Sequence, residues 1–183
     1  MELQMKVNTE YTYDKVVRLY NEAFPRKGRI AFESLVKHID TGEGELTAYY
    51  AEKTFVAFSY VCYFKDITYL FYFAVDPEFR NRGYGTTILK YLKMKYRDKK
   101  FILAAEALTG QKKGEAERER RIAFYEKNGF NKSNYIIKEN KILYEVFHLT
   151  KPIGAEEYIN IIRCILNKKE KKHFKLEVYK SDI

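Results

Sequence analysis

The run of residues 67–87 constrains the fold most strongly, because it predicts a strand, a tight turn and a helix start in direct succession. Its first segment, "ITYLFYFAV", is dominated by β-branched and aromatic residues, which favour a strand. The next segment, "DPEFRNRGYGTT", combines a proline with two closely spaced glycines and favours a turn. Residues 84–97 then carry apolar residues at helical spacing, namely Ile88, Leu89, Leu92 and Tyr96. The chain therefore places a helix N-terminus beside the end of a strand.

The remaining elements define an α/β or α+β layer structure. A helix that starts from an N-cap at Thr12 and ends at Pro25, and a second around "AFESLVKHID", precede three strands, "LTAYYAEKT", "VAFSYVCYFKD" and "ITYLFYFAV". After residues 84–97 come the strand "KFILAAEAL", the helix "EAERERRIAFYEKN" closed by Gly129, and a hairpin of "NYIIKEN" and "KILYEVFHL" that turns around Glu139 and Asn140. A helix, "AEEYINIIRCILNKK", and an edge-strand pattern, "FKLEVY", follow.

We predict a single domain over residues 1–183, with a core at about 10–150 and a C-terminal helix and tail at 151–183. No N-terminal apolar segment resembles a secretory signal, and no apolar run reaches the length of about 18 residues that suits a membrane span. These features predict a cytoplasmic protein without membrane contact. Cys62 and Cys164 have no metal or redox spacing, so both are predicted to be core residues, and no metal site is expected.

The net charge of +9, from 34 Lys and Arg against 25 Asp and Glu, predicts an anionic partner. Charge alone does not choose among nucleic acid, an acidic membrane surface and a phosphorylated cofactor. Because the sequence has no helix-turn-helix and no aromatic RNA-binding signature, we expect no nucleic-acid partner. His38, His148 and His173 show no partnering pattern and receive no role.

The turn itself has the features of an anion site. A helix N-terminus exposes several backbone N–H groups, with the positive end of the helix dipole behind them. Gly83 and Gly85 lack side chains and so let these groups approach an anion, while Arg80 and Arg82 add charge-assisted hydrogen bonds. The Walker pattern is absent, and Ile88 stands where a dinucleotide fingerprint needs its third glycine. What remains is the pattern R-x-x-G-x-G.

Two segments together resemble the GNAT superfamily of acetyl-CoA-dependent N-acetyltransferases. "FAVDPEFRNRGYGTTILK" is similar to the pyrophosphate-binding motif of that family, and "RRIAFYEKNGF" is similar to its second motif. The resemblance covers about residues 10–150 in element order. It implies the GNAT acyl-CoA N-acyltransferase fold, a central mixed and mostly antiparallel sheet flanked by helices, here with an extra C-terminal helix. It also implies acetyl-CoA as cosubstrate and no metal.

The resemblance assigns cofactor contacts to a strand edge and to the turn. In the family, two central strands splay apart and the pantetheine arm lies in the gap, here between the strands ending near Val75 and Glu106. The strand edge pairs with the arm, and the backbone of the turn holds the pyrophosphate. The implied cofactor-binding residues are Phe73, Ala74, Val75, Arg80, Asn81, Arg82, Gly83, Tyr84, Gly85 and Thr86.

Three residues are predicted to act on the reacting groups. By the resemblance, the Val75 N–H stabilises the oxyanion, and Tyr125 donates a proton to the departing sulfur. Glu106 stands in an apolar strand and is a candidate general base, with solvent exposure or pairing to an arginine as the alternative. Arg118 replaces an Asn common in the family, and Arg121 replaces a small residue. Each either reaches the cofactor phosphates or lies on a solvated face.

The function implied by the resemblance is transfer of an acetyl group from acetyl-CoA to a primary amine of a small molecule or peptide, by direct attack in a ternary complex. The alternative is a non-catalytic CoA-binding sensor or interaction module of the same fold. In the family, the acceptor cleft is built from segments that correspond roughly to residues 24–36 and 134–145 here. These segments leave the acceptor open, and the chain is expected to be a monomer or homodimer.

Overall fold

A central sheet organises the molecule, and a computed structural model describes residues 3–7, 10–24, 29–111 and 113–180 of the chain. Within these residues the sheet has eight strands in the order β1-β2-β3-β4-β5-β7-β6-β8. Neighbouring strands are antiparallel except for the parallel pair β4–β5. The strands are β1 Leu3–Val7, β2 Gly44–Ala51, β3 Thr54–Phe64, β4 Ile67–Val75, β5 Lys100–Glu106, β6 Asn131–Glu139, β7 Ile142–His148 and β8 Leu176–Lys180.

Helices cover both faces of the sheet. The helices are α1 Glu10–Ala23, α2 Phe32–Asp40, α3 Tyr84–Lys95, α4 Glu115–Lys127, α5 Ala155–Ile165 and α6 Lys168–His173. Side chains of α1, α2 and α5 pack in one apolar core, and side chains of α3 and α4 pack in a second core. Because both cores enclose β3, the strand is buried along most of its length, and its sequence is a nearly continuous apolar run.

The mixed, mostly antiparallel sheet with flanking helices confirms the predicted fold class. Strand β1 was not predicted; its segment, "LQMKV", pairs with β2 at one edge of the sheet. The N-cap assigned to Thr12 is wrong, since α1 begins at Glu10 and Thr12 lies within the helix. That helix ends at Ala23, and the predicted end at Pro25 lies outside the described residues.

The prediction that Cys164 is a core residue is also wrong, because Cys164 is exposed while Cys62 is buried. The buried face of α5 is formed by Tyr158, Ile161, Ile162 and Ile165. At 3.6 residues per turn, Cys164 points roughly 110° away from the centre of that face. The sequence pattern therefore predicted the buried face of the helix correctly, but Cys164 lies outside that face.

Strands β4 and β5 separate before either of them ends. Their parallel pairing runs from Ile67 opposite Lys100 to Leu70 opposite Leu103, and it stops there. At the same level β4 has a bulge against β3, since Tyr60 pairs with Tyr72 and the next pair skips Phe71. A bulge bends its strand and increases the local twist. The result is a gap in the sheet between the C-terminal ends of β4 and β5.

Candidate active site

A cleft of about 790 Å³ occupies this gap. Its walls come from the ends of β4 and β5, the turn at residues 80–86, helix α4 and the β6–β7 hairpin. Every residue that the sequence predicted for the site lines the cleft except Arg82. The Arg82 guanidinium lies over the Phe79 ring, 5.4 Å from its centroid, on the exposed side of the turn. The gap thus brings together residues that are distant in the sequence.

Asp76 anchors the turn to the sheet. Its backbone N–H donates to Val56 O (2.9 Å), and its carboxylate accepts a hydrogen bond from Glu78 N (3.1 Å). The same buried carboxylate pairs with Arg18 of α1, with 3.0 Å between Nη2 and Oδ2. A short 3₁₀ turn at Pro77–Phe79 follows, as expected for an Asp-Pro start. The position of the turn is therefore held from two sides.

The turn exposes backbone donors at the mouth of the cleft. Asn81 and Gly83 both adopt left-handed conformations, with φ of 60° and 83°. Consecutive N–H groups in such turns form concave anion sites. Thr87 N donates the first hydrogen bond of α3, to Gly83 O at 3.0 Å. The N–H groups of residues 81–86 therefore carry no helical bond. A non-glycine residue held at positive φ, as Asn81 is, occurs often at functional sites.

The two glycines of the turn serve different purposes. A Cβ on Gly83 would meet nothing within 4 Å, so this glycine supplies the left-handed conformation and keeps the space in front of the turn open. A Cβ on Gly85 would lie 3.1 Å from Phe124 Cζ and 3.7 Å from Val75 Cγ2. Gly85 therefore permits close packing of α3 against α4 and β4. The sequence interpretation had given both glycines the role of leaving room for an anion beside the backbone N–H groups.

The β4 edge presents free backbone groups to the gap. Asp76 N bonds to Val56 O, and ladder bonds alternate along an antiparallel pair. The N–H and C=O groups of Val75 and of Phe73 therefore point away from β3, toward the space that β5 has left. Arg80 Nε donates to Val75 O at 3.2 Å, while the Val75 N–H has no ladder partner in β3.

Tyr125 reaches the cleft from α4 with most of its ring buried. The ring packs against Phe124, Phe130 and Phe147, with centroids 5.4, 6.1 and 5.9 Å away. Burial raises the pKa of the phenol, and the positive charge of Arg121 partly offsets this. A raised pKa keeps the hydroxyl protonated at neutral pH, which is the state of a proton donor.

Glu106 lines the cleft, and its carboxylate pairs with an arginine. Arg118 Nε lies 3.0 Å from Glu106 Oε2, and Arg118 Nη1 lies 3.2 Å from Glu115 Oε2. This is the arginine pairing considered as the alternative for Glu106. Arg118 is largely buried by these contacts and stays behind the cleft wall, whereas Arg121 lines the cleft and pairs with Glu117 at 3.0 Å.

Glu139 is a site residue that the sequence analysis missed. It is the last residue of β6, is partly buried and lines the cleft, while the hairpin turn falls at residues 140–141. Tyr158 Oη donates to Glu139 Oε1 at 2.9 Å, and Tyr69 Oη lies 2.9 Å from Tyr158 Oη. Desolvation raises the pKa of Glu139 to about 7, against the lowering effect of the Tyr158 hydrogen bond. An acidic residue following the apolar positions Tyr135 and Ile137 at spacing two was the available signal.

The described residues contain no group of three or more His, Cys, Asp or Glu side chains placed to hold a metal ion. Among the helices in the same part of the chain, none is both long enough and apolar enough to cross a membrane.

Comparison with known proteins gives the family. A family model described as an acetyltransferase (GNAT) domain matches residues 43–132, which include the turn, the gap and Tyr125. A search of curated proteins found no match. Together with the fold, the match shows that the chain belongs to the GNAT superfamily of acetyltransferases.

Solved structures share the fold at low sequence identity. A protein described as a GNAT-family acetyltransferase from Bacteroides thetaiotaomicron is 21% identical, with a TM-score of 0.70 over 93% of this chain and 98% of that one. A Bacillus subtilis acetyltransferase in complex with CoA is 15% identical, with a TM-score of 0.61 over 82% and 100%. The ribosomal-protein-S18-alanine N-acetyltransferase of Escherichia coli is 17% identical, with a TM-score of 0.62 over 84% and 98%.

Proposed function

We propose that the protein transfers an acetyl group from acetyl-CoA to a primary amine of a small molecule or peptide. The observation that carries this proposal is the continuity of two features, a backbone anion cradle at the turn and a gap between β4 and β5 that leads from it to Tyr125. Two acetyltransferase structures with this fold, from Bacillus subtilis and Thermoplasma acidophilum, are complexes with CoA.

The cofactor is proposed to lie along the turn and the free edge of β4. The backbone of residues 80–86 receives the pyrophosphate, because the N–H groups of residues 81–86 carry no helical bond and Gly83 leaves the approach open, while the Arg80 N–H is held by Pro77 O. The pantetheine arm takes the place of β5 along Phe73, Ala74 and Val75, with the backbone groups of Phe73 and Val75 facing it. The Arg80 side chain holds the Val75 carbonyl, with 3.2 Å between Nε and O.

The reaction is proposed to begin with attack of a neutral amine on the thioester carbonyl. The Val75 N–H stabilises the negative charge that develops on the carbonyl oxygen. As the C–S bond breaks, the Tyr125 phenol gives its proton to the sulfur, and the proton lost from the acylated nitrogen restores the phenol. An alkyl ammonium has a pKa of about 10.4, so a base must first remove a proton from the acceptor. Glu106 stays a sequence prediction for that base.

Direct attack within a ternary complex is favoured over a covalent acetyl-enzyme. Cys62 is buried in β3 and Cys164 is exposed on α5, and neither cysteine lines the cleft. The cleft has room for both substrates at about 790 Å³, and its walls reach from the turn to the β6–β7 hairpin.

Thiol release from acetyl-CoA, measured colorimetrically against a panel of amines, amino acids, aminoglycosides, polyamines and short peptides, tests the proposal. Calorimetric titration with acetyl-CoA accompanies it. We expect binding, and release with one class of acceptor. Binding without release across the panel would favour the non-catalytic CoA-binding sensor, and an absence of binding would overturn the proposal.

A further inference from the structure

We infer that Glu139 binds the ammonium group of the acceptor and takes its proton, with Tyr158 and Tyr69 as the residues that position its carboxylate. This inference rests on the proposed acetyltransferase function and adds to it the group that receives the amine. It competes directly with Glu106, since both carboxylates line the same cleft.

The carboxylates that line the cleft differ in their partners. Glu106 is paired with Arg118, and Glu117 with Arg121, each at 3.0 Å. Among the residues that the structure describes, Glu139 has no cation within 4.0 Å, and its hydrogen-bond donor is a neutral tyrosine. A carboxylate taken from water without a counter-ion is costly. A ligand cation that enters the cleft would supply the missing charge.

The strand register places Glu139 at the same end of the sheet as Val75. Glu139 pairs with Ile142 across the hairpin, and Tyr144 of β7 pairs with Glu106 at the end of β5. Because β4 and β5 are parallel, Val75, the last residue of β4, lies at this same end of the sheet. Glu139 therefore lies at the end of the sheet where the free β4 edge offers its oxyanion donor.

Glu139 and Tyr125 approach the gap from opposite faces of the sheet. Tyr158 and Tyr69, which hold Glu139, belong to the core under α1, α2 and α5. Tyr125 belongs to the core under α3 and α4. A thioester lying in the gap would have the proton donor for its sulfur on one side and the proton acceptor for the amine on the other, so the two groups do not compete for one proton.

The bulge in β4 shapes the wall on the Glu139 side. Phe71 and Tyr72 are consecutive, yet both pack in the core under α1, because the bulge turns one of them over. Their rings are 4.6 Å apart and line the cleft together with Tyr144 and Phe24. Aromatic faces attract cations. This wall therefore suits an acceptor that arrives as an ammonium ion.

The ionisation of Glu139 is set by few groups. The groups facing it are the hydroxyls of Tyr158 from α5, Tyr69 and Tyr72 from β4, and Tyr144 from β7, while its β8 register partner, Leu176, is apolar. Desolvation raises the Glu139 pKa to about 7, and only the Tyr158 hydrogen bond opposes it among the causes that act on the carboxyl. A base with this pKa is ionised for part of the population at neutral pH and accepts a proton readily.

The acceptor ammonium gives one proton to the Glu139 carboxylate, which becomes a neutral carboxylic acid, and the amine becomes neutral and nucleophilic. After the C–N bond forms and the C–S bond breaks, Glu139 releases its proton to solvent. Tyr158 donates to Glu139 Oε1 throughout, and Tyr69 donates to Tyr158, since the single Tyr158 proton is already engaged.

The test compares pH profiles of kcat/KM for thiol release by wild type, Glu139→Gln, Glu106→Gln, Tyr158→Phe and Tyr135→Phe. We expect Glu139→Gln to lower kcat/KM at neutral pH by about 100-fold or more and to remove the acidic limb, with acetyl-CoA affinity unchanged. Glu106→Gln should keep the acidic limb. Tyr158→Phe should move that limb to higher pH, because it removes the hydrogen bond that lowers the Glu139 pKa.

Tyr135→Phe is the matched control. Tyr135 is a buried tyrosine of β6 whose hydroxyl donates to Ile153 O at 3.1 Å rather than to a carboxylate. Its loss should leave the acidic limb in place. A Glu139→Gln variant with wild-type kcat/KM and an unchanged acidic limb would overturn the inference while leaving the proposed function intact. Wild-type protein that releases no thiol with any amine would remove both.

Discussion

The turn at residues 76–86, proposed to hold the cofactor, and the amine-side wall, formed by Phe71, Tyr72, Glu139 and Tyr144 with Tyr158 behind Glu139, are built in different ways. The turn is one contiguous segment, and it acts through backbone groups whose positions follow from two left-handed residues and a helix start. The wall uses side chains from β4, β6, β7 and α5, and depends on strand register and a bulge. The two regions should therefore respond to mutation independently.

The largest expected effect is on the turn. In Gly83→Val, a β-branched residue must adopt φ of 83° and fills the open space before the cradle, so acetyl-CoA binding should fall below detection in calorimetry. Gly42→Val is the control, because Gly42 has φ of 74° and open space around it in the turn after α2. It carries similar strain outside the cleft and should bind acetyl-CoA normally. Normal binding by Gly83→Val would remove the turn from the cofactor site.

Tyr125→Phe should lower kcat by roughly 100-fold to 10,000-fold, because it removes the proposed proton donor. Acetyl-CoA affinity should change little, because the backbone groups of the turn are left intact. The control is Tyr96→Phe, in the same core, where the lost hydroxyl contacts Tyr63 at 3.1 Å and lies away from the cleft. Steady-state rates and calorimetry measure both effects. An unchanged kcat in Tyr125→Phe would rule out its assigned role.

Glu139→Gln should raise the free energy of unfolding at about pH 8 by about 1–3 kcal/mol. The Glu139 pKa lies near 7 in the fold against about 4.5 for an ordinary glutamate, so the folded state holds this proton more tightly. Below pH 4.5 the carboxyl is protonated in both states and costs nothing, and the penalty grows as pH rises to about 7. Urea unfolding at several pH values measures the difference, which should vanish at the acidic end. A constant difference would contradict the assigned burial.

The smallest effect is expected for Tyr72→Phe, which tests whether the turn and the amine-side wall act independently. The Tyr72 hydroxyl accepts a hydrogen bond from Ile30 N at 3.1 Å and so ties the segment before α2 to the wall. Its loss should raise KM for the amine roughly fivefold, consistent with one lost hydrogen bond, and leave acetyl-CoA affinity unchanged. The reverse pattern, weaker acetyl-CoA binding with a normal amine KM, would show that the two regions are not independent.

The turn could be predicted from sequence because its information is local. Proline, two glycines and the switch from strand to helix all lie within residues 76–87, and Gly129 is likewise recognisable at the end of α4, where its φ is 85°. Even here, the packing role of Gly85 against Phe124 required the fold, since the contact joins two helices.

The amine-side wall could not be predicted in the same way. Nothing in "ITYLFYFAV" marks Phe71 as the bulged residue, because every neighbour is equally suited to a strand. Glu139 reads as a turn residue until Tyr158, on a helix 19 positions later, is seen to hold it. Strand β1 was missed because its five residues, with a lysine and a glutamine, show too weak a pattern alone.

We propose that the gap in the sheet joins a cofactor site to an amine site, so that the acetyl group passes directly between them. Initial rates of thiol release, measured over a grid of acetyl-CoA and amine concentrations, test it most directly. We predict double-reciprocal lines that intersect, because both substrates must be bound together before the acetyl group moves. Parallel lines would indicate an acetyl-enzyme intermediate and would contradict it.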